Sequence, residues 1–155
     1  MDGSNAMERR SFEEFAAELR PRLVRAFVGS RGVDDAADAA SEALAYAFEH
    51  WERLRGMANP AGYLYGVGQS RTRARRVPNL PPPESVGVPE VEPGLVPALL
   101  RLPESQRTAV WLVHACQWRY AEVAEAMGTS VSMVGNHVTR ALGALRRELE
   151  VEESA

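Results

Sequence analysis

Apolar residues recur at three- and four-residue spacing along most of this chain, and strict alternation is nowhere sustained. The pattern predicts an all-α protein. Phe12, Phe15, Ala16, Leu19, Leu23 and Phe27 make the stripe of a first helix that reaches about Val28. Ser11, with Glu14 three residues on, reads as its capping box. Pro21 inside the span predicts a kink or a division in two. Gly29 to Gly32 is a turn. A second helix opens at Asp34 and Asp35, acids that suit an N-terminal dipole, and runs to about Leu54. Ala40, Leu44, Ala47, Phe48, Trp51 and Leu54 face inward; Asp38, Ser41, Glu42, Glu49 and Glu52 give a mostly acidic outer face. Asn59 caps a third helix with Pro60 at its first position. Tyr63, Leu64 and Val67 pack, and the helix ends in Arg71, Arg73, Arg75 and Arg76. Gly66 and Gly68 each weaken it by roughly 1 kcal/mol relative to Ala.

Pro78 to Gly94 holds six Pro, two Gly and three Glu, and no basic residue. Such a stretch makes a semi-extended acidic linker. The expected architecture is two small helical domains, 7–77 and 95–150, joined by this Pro-rich linker at 78–94. Beyond it, Leu95 to Leu102 is a short apolar helix, and Pro103 starts another that runs to about Gln117. A helix from Tyr120 to Ala126 then leads into a turn at Met127-Gly128-Thr129-Ser130. Gly128 supplies a positive φ there and Ser130 an N-cap. The following helix puts Val134, Val138, Ala141 and Leu145 on its inner stripe, with Ser132, Asn136, Thr139 and Arg140 outside. A short helix, a Gly turn and a longer helix with a polar face describe a DNA-reading helix-turn-helix; an ordinary helical hairpin is the plainer reading.

Charge narrows the choice. The 155 residues carry a formal charge of −3, which argues against a protein that coats nucleic acid nonspecifically. All 18 basic residues are Arg, and contact with DNA must come from local patches. Arg71, Arg73, Arg75 and Arg76, close behind Tyr63 and Tyr65, are the best such footprint. A solvated basic helix end is the alternative for the same residues. Residues 1–6, MDGSNA, read as an added leader before a natural start at Met7. No apolar run is long enough to cross a bilayer and no secretory signal is visible, so a cytoplasmic protein is expected. Cys116 stands alone and reads as a buried, inert thiol. His50, His114 and His137 match no metal spacing; phosphate loop and nucleophile arrangements are likewise missing. Neither an enzyme nor a cofactor is expected.

These motifs together resemble the extracytoplasmic-function group of bacterial RNA polymerase sigma factors, over about Phe12 to Leu149. LRLPESQRTAVWL looks like the family's Leu-Pro-x-x-x-Arg entry helix. YAEVAEAMGTS looks like its Tyr-x-Glu-Ile-Ala-Glu-x-Leu-Gly helix and turn, and MVGNHVTRALGALRREL like its recognition helix. DAASEAL is similar to the Asp-Leu-Val-Gln-Glu signature, and PAGYLYGVGQSRTRARR to the Pro-x-x-Trp-Leu helix with its basic end. The resemblance implies that Asp38, Ser41 and Glu42 dock on core RNA polymerase. It implies that Trp51, Tyr63, Arg71, Arg73, Arg75 and Arg76 engage the −10 element of promoter DNA. Ser132, Met133, Asn136, His137, Thr139 and Arg140 would read the −35 element. An anti-sigma factor is a further partner of the kind the family takes. Met133, Gly135, Asn136 and His137 depart from the Thr, Lys or Arg, Ser and Arg usual there, and Arg119 replaces a Ser cap. Two other readings stand beside this one. The first is a sigma-like regulator that binds polymerase, or another protein, without initiating efficiently. The second is a LuxR-type regulator, whose recognition helix VGNHVTRAL also resembles.

Overall fold

The computed structural model describes residues 2–72 and 94–154, with side chains over 11–72 and 94–150. Eight α-helices make up the described chain: α1 (Asp2–Arg31), α2 (Val33–Glu49), α3 (Trp51–Leu54), α4 (Pro60–Arg71), α5 (Leu95–Arg101), α6 (Glu104–Val110), α7 (Tyr120–Met127) and α8 (Val131–Ser154). A single π-helical turn, Trp111–Ala115, continues α6. There is no strand among the described residues. The linker and the 77/78 boundary lie largely outside them, as do Arg73, Arg75 and Arg76.

α1 differs from the expectation at its start, and Pro21 does not divide it. It begins at Asp2, so Ser11 lies inside the helix and is not its cap, and residues 2–6 belong to it. Ala6, Met7, Glu8, Arg9 and Arg10 are mostly good helix formers, and propagation past Ser11 costs less than a new nucleus. Pro21 also lies within one assigned helix. The second predicted helix is split instead: α2 ends at Glu49 and α3 restarts after His50. Phe48, expected inside, is 58% exposed and meets Phe12 edge to face. The predicted 103–117 helix runs as α6 plus the π turn and stops at Gln117, whose φ of 58° is left-handed.

The core crosses the chain's two halves. Leu23, Phe27, Leu54 and Leu64 from the N-terminal helices join Leu112, Val123 and Val134 from the C-terminal ones in one buried cluster. Glycine sets several distances in it. A Cβ on Gly68 would lie 2.3 Å from Phe27, which stacks on Tyr65 with ring centroids 4.8 Å apart. The helix-weakening glycine is thus what brings α4 against α1. Arg31, 4% exposed, ties the end of α1 to the end of α4. Its Nε donates to Gln69 Oε1 at 2.7 Å, and Nη2 donates to the carbonyls of Gln69 (2.9 Å) and Thr72. Those carbonyls belong to the unpaired C-terminal set of the helix. A smaller cluster, Ala98, Leu99, Leu102, Val110, Ala141 and Leu145, seats α5 and α6 on α8.

Polar contacts also join the halves. Arg22 of α1 donates to Glu122 of α7 at 2.8 Å, and its guanidinium lies 5.2 Å from the Trp118 ring. Trp111 uses the π turn to reach back, its indole N–H donating to the Arg25 carbonyl at 3.0 Å. No described helix is long and apolar enough to cross a membrane.

Candidate nucleic-acid interface

The helix-turn-helix forms as its residues dictate. Gly128 takes φ 64°, and Ser130 Oγ accepts the Met133 N–H at 3.1 Å. Val134, Val138, Ala141 and Leu145 are buried, which turns the opposite face of α8 outward. Ser132, Met133, Asn136, Thr139 and Arg140 are exposed on that face, and His137 is half-buried beside them. Val131 and Met133 add exposed apolar surface at the entry to the helix, 50% and 40% exposed. Asn136 Nδ2 lies 4.0 Å from the Met133 sulfur, a weak contact that leaves the amide available. Arg119 leaves no gap in the capping of α7, because Glu122 reaches back and accepts the Arg119 N–H at 3.1 Å. That is the Glu half of a capping box without its Ser.

A second polar site forms where α2, α3 and α4 meet. Tyr46 and Tyr63 pair through their hydroxyls at 3.0 Å. Arg53 donates to both, at 3.0 Å to Tyr63. His50 stacks on Tyr46 with centroids 4.1 Å apart, and Arg71 sits 4.9 Å over the same ring. The hydrogen bond with Tyr63, aided by Arg53 and Arg71, pulls the Tyr46 hydroxyl below its usual range. The same bond, with burial, pushes the Tyr63 hydroxyl up. Two cations held against two aromatic faces form the kind of surface that takes a phosphate and an unstacked base together.

The structure gathers Tyr63 and Arg71 here but places Trp51 elsewhere. Its ring packs on Phe12 and Phe15, at 5.4 and 4.9 Å, and its indole nitrogen is buried without a hydrogen-bond partner among the described residues. Tyr46, His50 and Arg53 were missed by the sequence reading. Their spacing of four and then three residues was a usable signal, since it places all three on one side of a helical path. Asp38, Ser41 and Glu42 are exposed together on α2. Ser41 Oγ accepts a hydrogen bond from Arg20 at 3.2 Å, so a cation borders this acidic face.

Burial pushes the Cys116 thiol up to about 12, which removes it as a nucleophile near neutral pH. No group of His, Cys, Asp and Glu among the described residues is placed to hold a metal.

Residues 95–145 match the family model for sigma-70, region 4. The chain is similar in structure to the sigma factor RpoE from Bartonella quintana, solved in complex with the anti-sigma factor NepR. The TM-score is 0.68 and the identity 19%, covering 92% of this chain and 98% of that one. A comparison with curated proteins gives no match. Residues 95–145 are thus similar to sigma-70 region 4, and the chain as a whole shares the fold of a solved sigma factor.

Proposed function

We propose that this chain binds core RNA polymerase and directs it to promoters as an initiation factor, without catalysing any step itself. The observation that carries this reading is the region 4 match on a helix-turn-helix whose α8 presents an open polar face. In this reading Asp38, Ser41 and Glu42 dock on polymerase. Tyr46, Arg53, Tyr63 and Arg71 hold the −10 strand, with Trp51 as a packing residue behind them. Arg73, Arg75 and Arg76 continue the cationic track in sequence. Ser132, Asn136, His137, Thr139 and Arg140 reach the −35 bases and phosphates in the major groove, where Met133 suits a thymine methyl. The RpoE neighbour was solved with an anti-sigma factor, and a partner of that class is proposed for this chain too.

The α8 face favours a second reading as well. Arg140 is the one side chain with a full positive charge among the six candidates there, which points to weak −35 binding and a factor that docks on polymerase but initiates poorly. Transcription with core polymerase over a genomic promoter library separates the two. Transcripts that vanish with the double variant Asp38→Arg, Glu42→Arg support initiation through this docking face. Core binding without any transcript supports the second reading, and unchanged core binding by the double variant removes the docking assignment.

A further inference from the structure

Three of the six large apolar side chains that stay exposed among the described residues sit at one corner. Tyr120 opens α7, and Val131 and Met133 stand in the first turn of α8. The Tyr120 ring reaches across to α8, where a Cβ on Gly135 would meet its Cε2 at 3.8 Å. Clustered apolar exposure of this kind marks a surface that a partner covers.

The polar groups beside it say which partner. Met133, Asn136 and Arg140 follow one another at three- and four-residue spacing and so form one row along the helix. Val134 and Val138 are buried behind that row and fix the way it points. The Ser130 cap holds the Met133 backbone, and the Asn136 carboxamide makes only its weak contact with the Met133 sulfur. A helix in the major groove contacts base edges with its first turns. There, guanine is read by Arg or Lys on O6 and N7, adenine by a carboxamide on N6 and N7, and thymine by apolar contact with its methyl. From Val131 to His137 the chain holds no Arg and no Lys. It holds one carboxamide and, beside it, two exposed apolar side chains. Arg140, a turn further on, suits a phosphate.

We propose that α8 reads an A·T element, with Asn136 paired to an adenine, Val131 and Met133 covering thymine methyls, and no side chain selecting guanine. The assignment rests on the promoter reading above and names the bases that reading leaves open.

Selection from a pool of randomised duplexes at low salt, by the full chain with and without core polymerase, tests it. The enriched sequences should share an adenine next to a thymine and lack an invariant guanine. Two base analogues then remove single groups from the best duplex. Exchanging the adenine for 7-deazaadenine removes its N7 acceptor, and should weaken the wild type about fivefold and Asn136→Ala hardly at all. Exchanging the thymine for deoxyuridine removes only its methyl, and should weaken the wild type about threefold and the double variant Val131→Ser, Met133→Ser hardly at all. All these side chains are exposed, and unchanged circular dichroism checks that the variants fold. An invariant guanine among the selected sequences overturns the base assignment and leaves promoter reading standing. Selected A·T sequences that tolerate both analogues in the wild type also overturn it, because groove shape is then what is read. No enrichment, with or without core polymerase, removes DNA reading by α8 altogether and leaves the Tyr120, Val131 and Met133 corner to a protein.

Discussion

Replacing Glu122 with Gln is expected to cost about 1–2 kcal/mol at pH 7 and progressively less as pH falls below about 4.3. The carboxylate is 5% exposed and accepts from Arg22 Nη2 at 2.8 Å and from the Arg119 N–H at 3.1 Å, with Arg119 Nε a further 3.5 Å away. Glutamine keeps the shape. Its oxygen serves one donor, while its NH2 turns a donor towards the other. Hydrogen bonds to a charged group contribute about 1.5–3 kcal/mol. Arg22 is a little over a third exposed, and solvent screening brings the figure down to the range above. The direction of the pH effect follows from the carboxyl itself. Burial alone pushes its pKa up, but the bonds and charges of Arg22 and Arg119 outweigh burial and the net shift is downward. A carboxyl depressed in the folded state contributes stability that is fully present above its unfolded pKa, about 4.3, and is lost as pH falls through the folded value. Wild type therefore loses this contribution in acid, and the variant has none to lose. Urea unfolding followed by circular dichroism at pH 7 and pH 3 gives the two differences. Equal differences at both pH values would refute the charge argument.

Gly68→Ala should destabilise the protein by up to about 2 kcal/mol, because overpacking costs about 1–3 and improved helix propensity returns only about 1. Phe27 is fully buried and stacked, and has nowhere to move; a rise in urea midpoint would contradict this. Cys116 should react with iodoacetamide at pH 8 about a thousandfold more slowly in the folded chain than in urea, since its pKa is pushed up to about 12 against an ordinary value of about 8.5. Similar rates in the two states, read by mass spectrometry, would show that the thiol is not shielded.

What could be read in the sequence was whatever a single element decides for itself. The inner stripe of α8, the Gly128 turn and the Ser130 cap follow from spacing and local backbone chemistry, and all three stand in the structure. Local signals misled where two of them competed. Ser11 carries a proper cap signature, but the helix-forming run before it is stronger. Phe48 fits the α2 stripe by count yet stays largely exposed, one residue before the helix ends. Pairings across the chain left no local trace. Arg22 and Glu122 are 100 residues apart, and only the packed halves bring them together. The Tyr46, Arg53 and Tyr63 cluster lies between these cases, with its α2–α3 members in register and its α4 member supplied by the fold.

The π turn at Trp111–Ala115 stores one residue more than an α-turn would hold, as the Cys116 N–H reaching the Trp111 carbonyl at 3.0 Å records. A wide turn of this kind absorbs its extra residue with little net rotation, so the segments before and after it keep their faces. What it changes is the placement of its own side chains: Trp111 holds the Arg25 carbonyl from here, and Leu112 fills the core. In this segment the length of the chain is thus part of how the two halves are joined.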